Sequence, residues 1–296
     1  MAVLVVGSVA LDSVETPTGG VDRVVGGSAT FFSAAASLFT GVRVVGVVGD
    51  DFPLDRLRFL QEREVDLTGL ARVPGESFFW AGRYHAGFRK RTTLATRLGV
   101  FAAFDPVVPP GFRDSRVVFL GNIDPVLQLG VLDQVRSPRL VAADTMNFWI
   151  DGAREALIEL LARIDMLFVN DEEAVALAER GNVAEAAAWI RERGPGIVVV
   201  KQGDQGATLF ADGWTFSCPA YSVPAVVDPT GAGDAFAGGF LGYLDGRGTD
   251  LRRALVHASA TGSYAVEAFS VDRFRQLDPD AVKGRAETLN GSLEHV

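Results

Sequence analysis

Unbroken apolar runs alternate with stretches of helical period along most of this chain. Residues 3–6 are all apolar and the run stops at Gly7, the pattern of a strand covered on both faces. Residues 42–48, 117–120, 140–143, 166–169 and 197–200 repeat it. Between the later runs lie segments with apolar positions at helical spacing: 126–135, 153–163, 172–180 and 183–193. Strands alternating with helices predict a parallel sheet with helices on both faces, joined by right-handed crossovers.

Two stretches break the alternation. Residues 12–25 read as a hairpin around Thr18-Gly19-Gly20. Residues 76–104 are rich in aromatic and β-branched side chains, including Phe78, Phe79, Trp80 and Tyr84, and lack a helical period. These two stretches are expected to pair into a small antiparallel sheet beside the main one. No internal repeat, low-complexity tract or flexible linker divides the chain. Residues 1–280 are therefore expected to form one domain, with the polar segment 281–296 a loose tail.

At 296 residues the chain can bury a large core, and its apolar share of 48% and charged share of 22% suit a globular enzyme. A formal charge of -9 argues against nucleic acid or an anionic membrane as the main partner. It does not exclude a nucleotide, which backbone amides and a metal ion can hold locally. Cys218 is the only cysteine and His85, His257 and His295 are scattered, so neither an intrachain disulfide nor a Cys/His metal cluster is expected. The apolar residues 2–11 follow no basic region and end at Asp12, which reads as a buried strand rather than an export signal. No apolar segment is long enough to span a bilayer, and a cytoplasmic location is expected.

The most informative chemistry lies at Asp228-Pro229-Thr230-Gly231-Ala232-Gly233-Asp234-Ala235-Phe236, ahead of a run of small residues with helical character. A helix starting here points unpaired N–H groups outward, and its dipole adds partial positive charge. Glycines admit a phosphate close to that backbone, so Gly231, Ala232 and Gly233 form a candidate anion cradle. An acid inside such a cradle repels phosphate unless it takes a proton from a nucleophile beside it. Asp234 is therefore a candidate general base for phosphoryl transfer to an alcohol. The plainer alternative is an N-cap aspartate after a glycine turn.

Lys201-Gln202-Gly203-Asp204-Gln205-Gly206 follows the apolar run 197–200, at the strand edge where open α/β sheets bind ligands. Its spacing is not that of a Walker loop, and Gly7 to Asp12 lacks the Gly-x-Gly-x-x-Gly of a dinucleotide-binding strand. Asn170-Asp171-Glu172-Glu173 also ends a strand. There Asn170 and Glu173 have the spacing of a capping box.

Taken in order, these motifs resemble those of the ribokinase (PfkB) family of carbohydrate and nucleoside kinases, across residues 3 to about 270. The resemblance implies an α/β fold: a three-layer α/β/α sandwich with a mostly parallel sheet and a small β lid over the acceptor, residues about 12–25 and 76–104. It implies transfer of a phosphoryl group from ATP to a hydroxyl of a small sugar or polyol, with Mg²⁺ and, in many members, K⁺. Asp234 and the amides of Gly231, Ala232 and Gly233 match the family's catalytic motif. Asp12, Gly26, Gly27, Ser28 and Thr30 match its acceptor-binding positions. Asn170, Glu173, Lys201, Gly203, Gly206, Thr230, Gly231 and Gly233 match its nucleotide side, with Glu173 acting on Mg²⁺ through water.

Asp228 and Thr230 resemble part of the monovalent-cation site, and Asp144-Thr145-Met146-Asn147 resembles an element near the phosphates. The lid also implies a homodimer contact. One departure stands out: the asparagine expected four positions after Gly27 is Phe31, which weakens the match to ribose recognition. Arg83 on the lid is a candidate for reaching an anionic group. A nucleoside kinase of the same fold is the alternative, marked by a base stacked on Phe78, Phe79 or Trp80. A non-catalytic sugar or nucleotide sensor is a third reading, disfavoured by the retained Asp234 and cradle.

Overall fold

The computed structural model describes residues 2–293. Its strands, in chain order, are β1 (Ala2–Val6), β2 (Ala10–Thr16), β3 (Gly19–Gly26), β4 (Gly41–Val48), β5 (Val65–Arg72), β6 (Phe78–Tyr84) and β7 (Arg91–Arg97). There follow β8 (Val117–Leu120), β9 (Leu140–Asp144), β10 (Met166–Asn170), β11 (Ile197–Lys201), β12 (Ala207–Ala211) and β13 (Trp214–Cys218). Nine of them form the main sheet in the order β13-β12-β11-β10-β9-β8-β1-β4-β5. Pairing is parallel from β5 through to β11, and only the edge strands β12 and β13 run antiparallel.

Alternate residues of each central strand enter different cores, as a sheet covered on both faces requires. Val3, Val5, Phe119, Met166, Phe168 and Val199 pack against helices Ser28–Ala36, Ala232–Gly246 and Leu251–Ala265. Leu4, Val6, Leu120, Leu167, Val169 and Val200 pack against helices Pro125–Leu132, Arg154–Leu161, Asp171–Ala178 and Val183–Arg191. The result is the three-layer α/β/α sandwich anticipated from the sequence. Within the first layer, Phe32 stacks on Phe119 at 4.3 Å and Phe168 meets Phe240 edge-on at 5.5 Å.

The lid is a separate four-stranded sheet in the order β3-β2-β6-β7. It corrects the expectation of a purely antiparallel sheet, because its central pair β2–β6 is parallel. The chain leaves β2 through its hairpin and returns to β6 only after crossing the main sheet, so both strands enter from the same side. The aromatic stretch also ends as a strand at Arg97; Phe78, Phe101 and Phe104 then stack in sequence at 5.4 and 5.2 Å.

The C-terminal segment differs as well. Instead of a loose tail, helix Pro279–Leu293 docks through Val282, Ala286 and Leu289, all buried, while residues 294–296 lie outside the described residues. Arg285 on this helix reaches Glu267, donates to Ser263 Oγ at 2.7 Å, and stacks over Tyr264 at 3.4 Å. Glu267 in turn pairs with Arg273 at 3.0 Å. Among the described residues no helix is long and apolar enough to cross a membrane.

Candidate active site

The parallel strands deliver their C-terminal ends to one edge of the sheet, where the chain leaves β1 toward β4 on one side and β8 on the other. Such a switch point opens a crevice. Asp144 ends β9, Asn170 ends β10 and Lys201 ends β11 along this edge. Across it lies the start of helix Ala232–Gly246.

That helix begins at Gly231, which takes the left-handed φ of 74° at its N-cap. Asp234 is then its third residue, not its cap, and its side chain is half-buried rather than turned into the core. The Ala232 N–H is bonded to the Pro229 carbonyl at 3.2 Å, while the Gly231 and Gly233 N–H groups have no backbone acceptor among the described residues. The cradle therefore presents its two glycine amides in preference to that of Ala232. Burial raises the Asp234 carboxyl to about 7, with Asp144 adding to the effect and Lys201 opposing it.

Lys201 supplies the local cation. Its Nζ donates to Asp144 Oδ2 at 2.7 Å, and a β-carbon on Gly233 would stand 3.1 Å from the same nitrogen. Burial disfavours the ammonium charge, but Asp144 and Glu173 outweigh it and hold the amine above its ordinary range. Asn170 and Glu173 form the anticipated capping box: Glu173 N–H donates to Asn170 Oδ1 at 2.7 Å and Asn170 N–H to Glu173 Oε2 at 2.9 Å. Burial raises Glu173 to about 7, against the pull of Lys201. Gly203 and Gly206 take positive φ values of 60° and 97° in the turn after β11, consistent with a glycine-dependent loop.

On the other side of Asp234, Asp12 is buried on β2 and its carboxylate fills the space beside Gly26. A β-carbon on Gly26 would lie 1.9 Å from Asp12 Oδ2, so only glycine fits. Burial, Asp228 and Asp234 raise Asp12 to about 7, and the Gly27 N–H and Arg91 oppose this. Ser28 and Thr30 lie in the first turn of helix Ser28–Ala36. The Ser28 hydroxyl is engaged with Ser8, accepting from its N–H at 3.1 Å, and Thr30 is buried with its hydroxyl unpartnered among the described residues. Phe31 is core: it is buried against Gly231. Asp228 is buried, accepts from Thr230 N–H at 2.9 Å, and has its own N–H on the Val266 carbonyl at 3.3 Å.

The small sheet meets the crevice at Tyr84 and Asp12. Trp80 pairs in register with Asp12, and its indole lies over Gly82, where a β-carbon would meet ring carbon Cη2 at 2.1 Å. Tyr84 at the end of β6 accepts from Thr230 Oγ1 at 3.3 Å, a tie between lid and cradle that no sequence pattern announced. Arg83 does not face the crevice: it is in register with Glu15 and forms an ion pair with it on the opposite lid face. Phe79 has the parity of Arg83 and is buried under Arg97 at 4.3 Å, whereas Phe78 and Trp80 share the other face and Phe78 is taken up by stacking on Phe101. His257 stacks on Tyr243 at 4.3 Å and accepts a packing role.

Among the described residues no three His, Cys, Asp or Glu side chains gather as a metal cage. A cavity of about 480 Å³ borders the 201–206 turn, lined by Gln202, Gln205, Thr208, Ser217 and Cys218. Asp234 is not among the residues that line it.

Residues 3–275 match the family described as "pfkB family carbohydrate kinase". A cytidine kinase from Thermococcus kodakarensis is 30% identical, with 82% of this chain and 89% of that protein covered. A 2-dehydro-3-deoxygluconokinase from Thermoproteus tenax is 28% identical over 82% of this chain and 79% of its own length. The crystal structure of Methanocaldococcus jannaschii nucleoside kinase, at 22% identity, superposes with a TM-score of 0.80 over 97% of this chain and 98% of that one.

Proposed function

This chain belongs to the pfkB family of carbohydrate kinases and is an ATP-dependent phosphotransferase with a hydroxyl acceptor; from that premise we propose how its residues divide the work. The acceptor is a small polyhydroxylated molecule, a sugar or polyol, oriented by Asp12. A carboxylate offers enough lone pairs to accept from two neighbouring hydroxyls. Asp234 takes the proton of the reacting hydroxyl, and the Gly231 and Gly233 amides carry charge on the migrating phosphoryl. Lys201 neutralises the phosphate tail from below. The observation that carries this reading is Asp234 itself: a partly buried carboxyl with its pKa raised to about 7, set in the first turn of a helix that otherwise attracts anions.

The donor set suits Mg²⁺, which keeps water and takes few carboxylates. Glu173 would act on it through water, and the ion would supply charge neutralisation between the phosphates. A K⁺ ion beside Asp228 is part of the proposal, as is a homodimer through the lid, whose strand β7 exposes Leu94. The need for ATP makes the cytoplasm the proposed location.

A nucleoside acceptor is the second reading. It is favoured by Trp80, whose ring spreads across the crevice face of the lid next to Asp12, and by the cytidine kinase relative. The test is ADP release with sugars, polyols and nucleosides, each with and without K⁺. Turnover confined to nucleosides selects the second reading, and no turnover with any acceptor overturns both.

A further inference from the structure

The acceptor side and the phosphate side of the crevice are carried by different sheets. Asp12 belongs to the small sheet, whereas Asp234, Lys201 and Glu173 stand on the main sheet and its helices. Whatever fixes one sheet on the other therefore sets the distance between an acceptor hydroxyl and its base. Asp51 lies at that joint, in the turn that follows β4 of the main sheet. Its two carboxylate oxygens hold two separate parts of the small sheet. Oδ1 accepts from the Ser77 N–H at 2.8 Å and from the Ser77 hydroxyl at 2.7 Å, immediately before β6. Oδ2 accepts from the Arg23 guanidinium on β3 at 2.6 Å.

The Ser77 end of this joint is set by backbone. Ser77 is buried and its Oγ accepts from the Gly49 N–H at 2.9 Å, while the Asp50 N–H donates to the Gly75 carbonyl at 2.9 Å. A β-carbon on Gly49 would lie 2.1 Å from that carbonyl oxygen, so glycine is required for the approach. The Arg23 end leads to Asp12. Register between β2 and β3 shifts after Asp12, leaving Asp22 and Arg23 opposite Ser13 as a bulge. Arg23 takes a left-handed φ of 50° there, and its N–H donates to Ser13 Oγ at 3.0 Å, one residue from Asp12. That conformation is costly for a residue with a β-carbon and persists only where its surroundings hold it. Burial works against the charge of Asp51, but the Ser77 hydrogen bonds and Arg23 outweigh it and keep the carboxyl below its ordinary range.

We propose that Asp51 is a positioning residue for the acceptor: it fixes the bulge beside Asp12, and the start of β6, against the main sheet that carries Asp234. This rests on the kinase reading above. Asp51 touches neither substrate in this arrangement and exchanges no proton or bond. The Arg23 and Asp51 side chains are 41% and 27% exposed, so their ion pair adds little to stability. Its contribution is alignment, and a misplacement of about 1 Å can cost about 10²-fold in rate.

The experiment compares the full-length wild type with Asp51→Ala, Asp51→Asn and Arg23→Gln, using ATP and an acceptor that the wild type phosphorylates. Asp51→Ala is expected to lower kcat/KM for the acceptor by about tenfold or more, with KM for ATP changed by less than about twofold. Asp51→Asn keeps an oxygen for Ser77 but loses the pair with Arg23, and Arg23→Gln breaks that pair from the other side. Both should show a similar, smaller loss of about threefold, again confined to the acceptor. Arg23→Gln added to Asp51→Ala should cost nothing further, because Arg23 acts through Asp51. Circular dichroism and thermal melting check folding; if Asp51→Ala fails to fold, the two milder variants carry the comparison. An acceptor kcat/KM equal to wild type, a KM for ATP that moves as far as that of the acceptor, or additive losses in the double variant overturns the proposal while leaving the kinase reading intact. A wild type inactive with every acceptor overturns the kinase reading and this proposal with it.

Discussion

The ring of Phe31 packs so closely on Gly231 that a β-carbon there would lie 2.2 Å from ring atoms Cγ and Cδ2. A buried aromatic thereby shapes the turn whose amides face the crevice. Gly231→Ala should lose stability twice over, through the left-handed φ and through the collision with Phe31. The sum is about 2–4 kcal/mol. Thermal melting checks this, and a double-mutant cycle with Phe31→Leu should recover the steric part only.

Asp234→Asn keeps the shape of the side chain but removes its capacity to take a proton. Turnover should fall about 10²–10⁴-fold, while ATP binding measured by calorimetry survives. Unchanged turnover would remove Asp234 from the proton transfer.

Activity and stability should respond to pH in opposite directions. Asp234 must be ionised to act, so kcat should rise with pH through about 7. Asp12 and Asp234 have folded-state values near 7 against a reference of 3.8, so folding takes up protons between these limits. The stability they contribute is complete below 3.8 and lost as pH rises through 7. Asp12→Asn should therefore melt higher than wild type at pH 8, by roughly 2 °C or more, although its turnover falls. Equal melting temperatures at pH 8 would contradict the burial of that charge.

Lys201→Met deprives Asp144 of its ion-pair partner in a nearly dry setting, since the Asp144 side chain is 6% exposed. The loss should be on the order of 3 kcal/mol. Lys201→Met combined with Asp144→Asn should regain much of that stability without regaining turnover. Chemical denaturation and the ADP assay separate the two effects.

The sequence disclosed the central parallel strands because they are nearly unbroken apolar runs, but not the parallel edge strand β5, which carries Asp66, Thr68 and Arg72, and it disclosed the Asp234 motif because its residues are contiguous. What it hid depends on pairing. Asp144 and Lys201 meet across 57 positions, and no local pattern joins them. Arg83 and Arg91 look interchangeable in one dimension, yet register turns Arg83 outward to Glu15 and Arg91 inward to Trp80. Ser28 and Thr30 belong to a recognisable motif, but both are buried in the first turn of helix Ser28–Ala36. The C-terminal helix went unread because its seam of Val282, Ala286 and Leu289 includes a small alanine and is flanked by polar residues.

That last helix has a reach beyond its own length. Arg285 clamps Glu267, and the adjacent Val266 carbonyl holds the Val227 N–H at 2.7 Å and that of Asp228 just before the glycine turn. Helix Pro279–Leu293 thus braces the segment that leads into the Gly231 turn from behind. Trimming a dozen seemingly dispensable residues, or fusing a bulky partner there, would be felt as a slackened phosphate grip rather than as a harmless shortening.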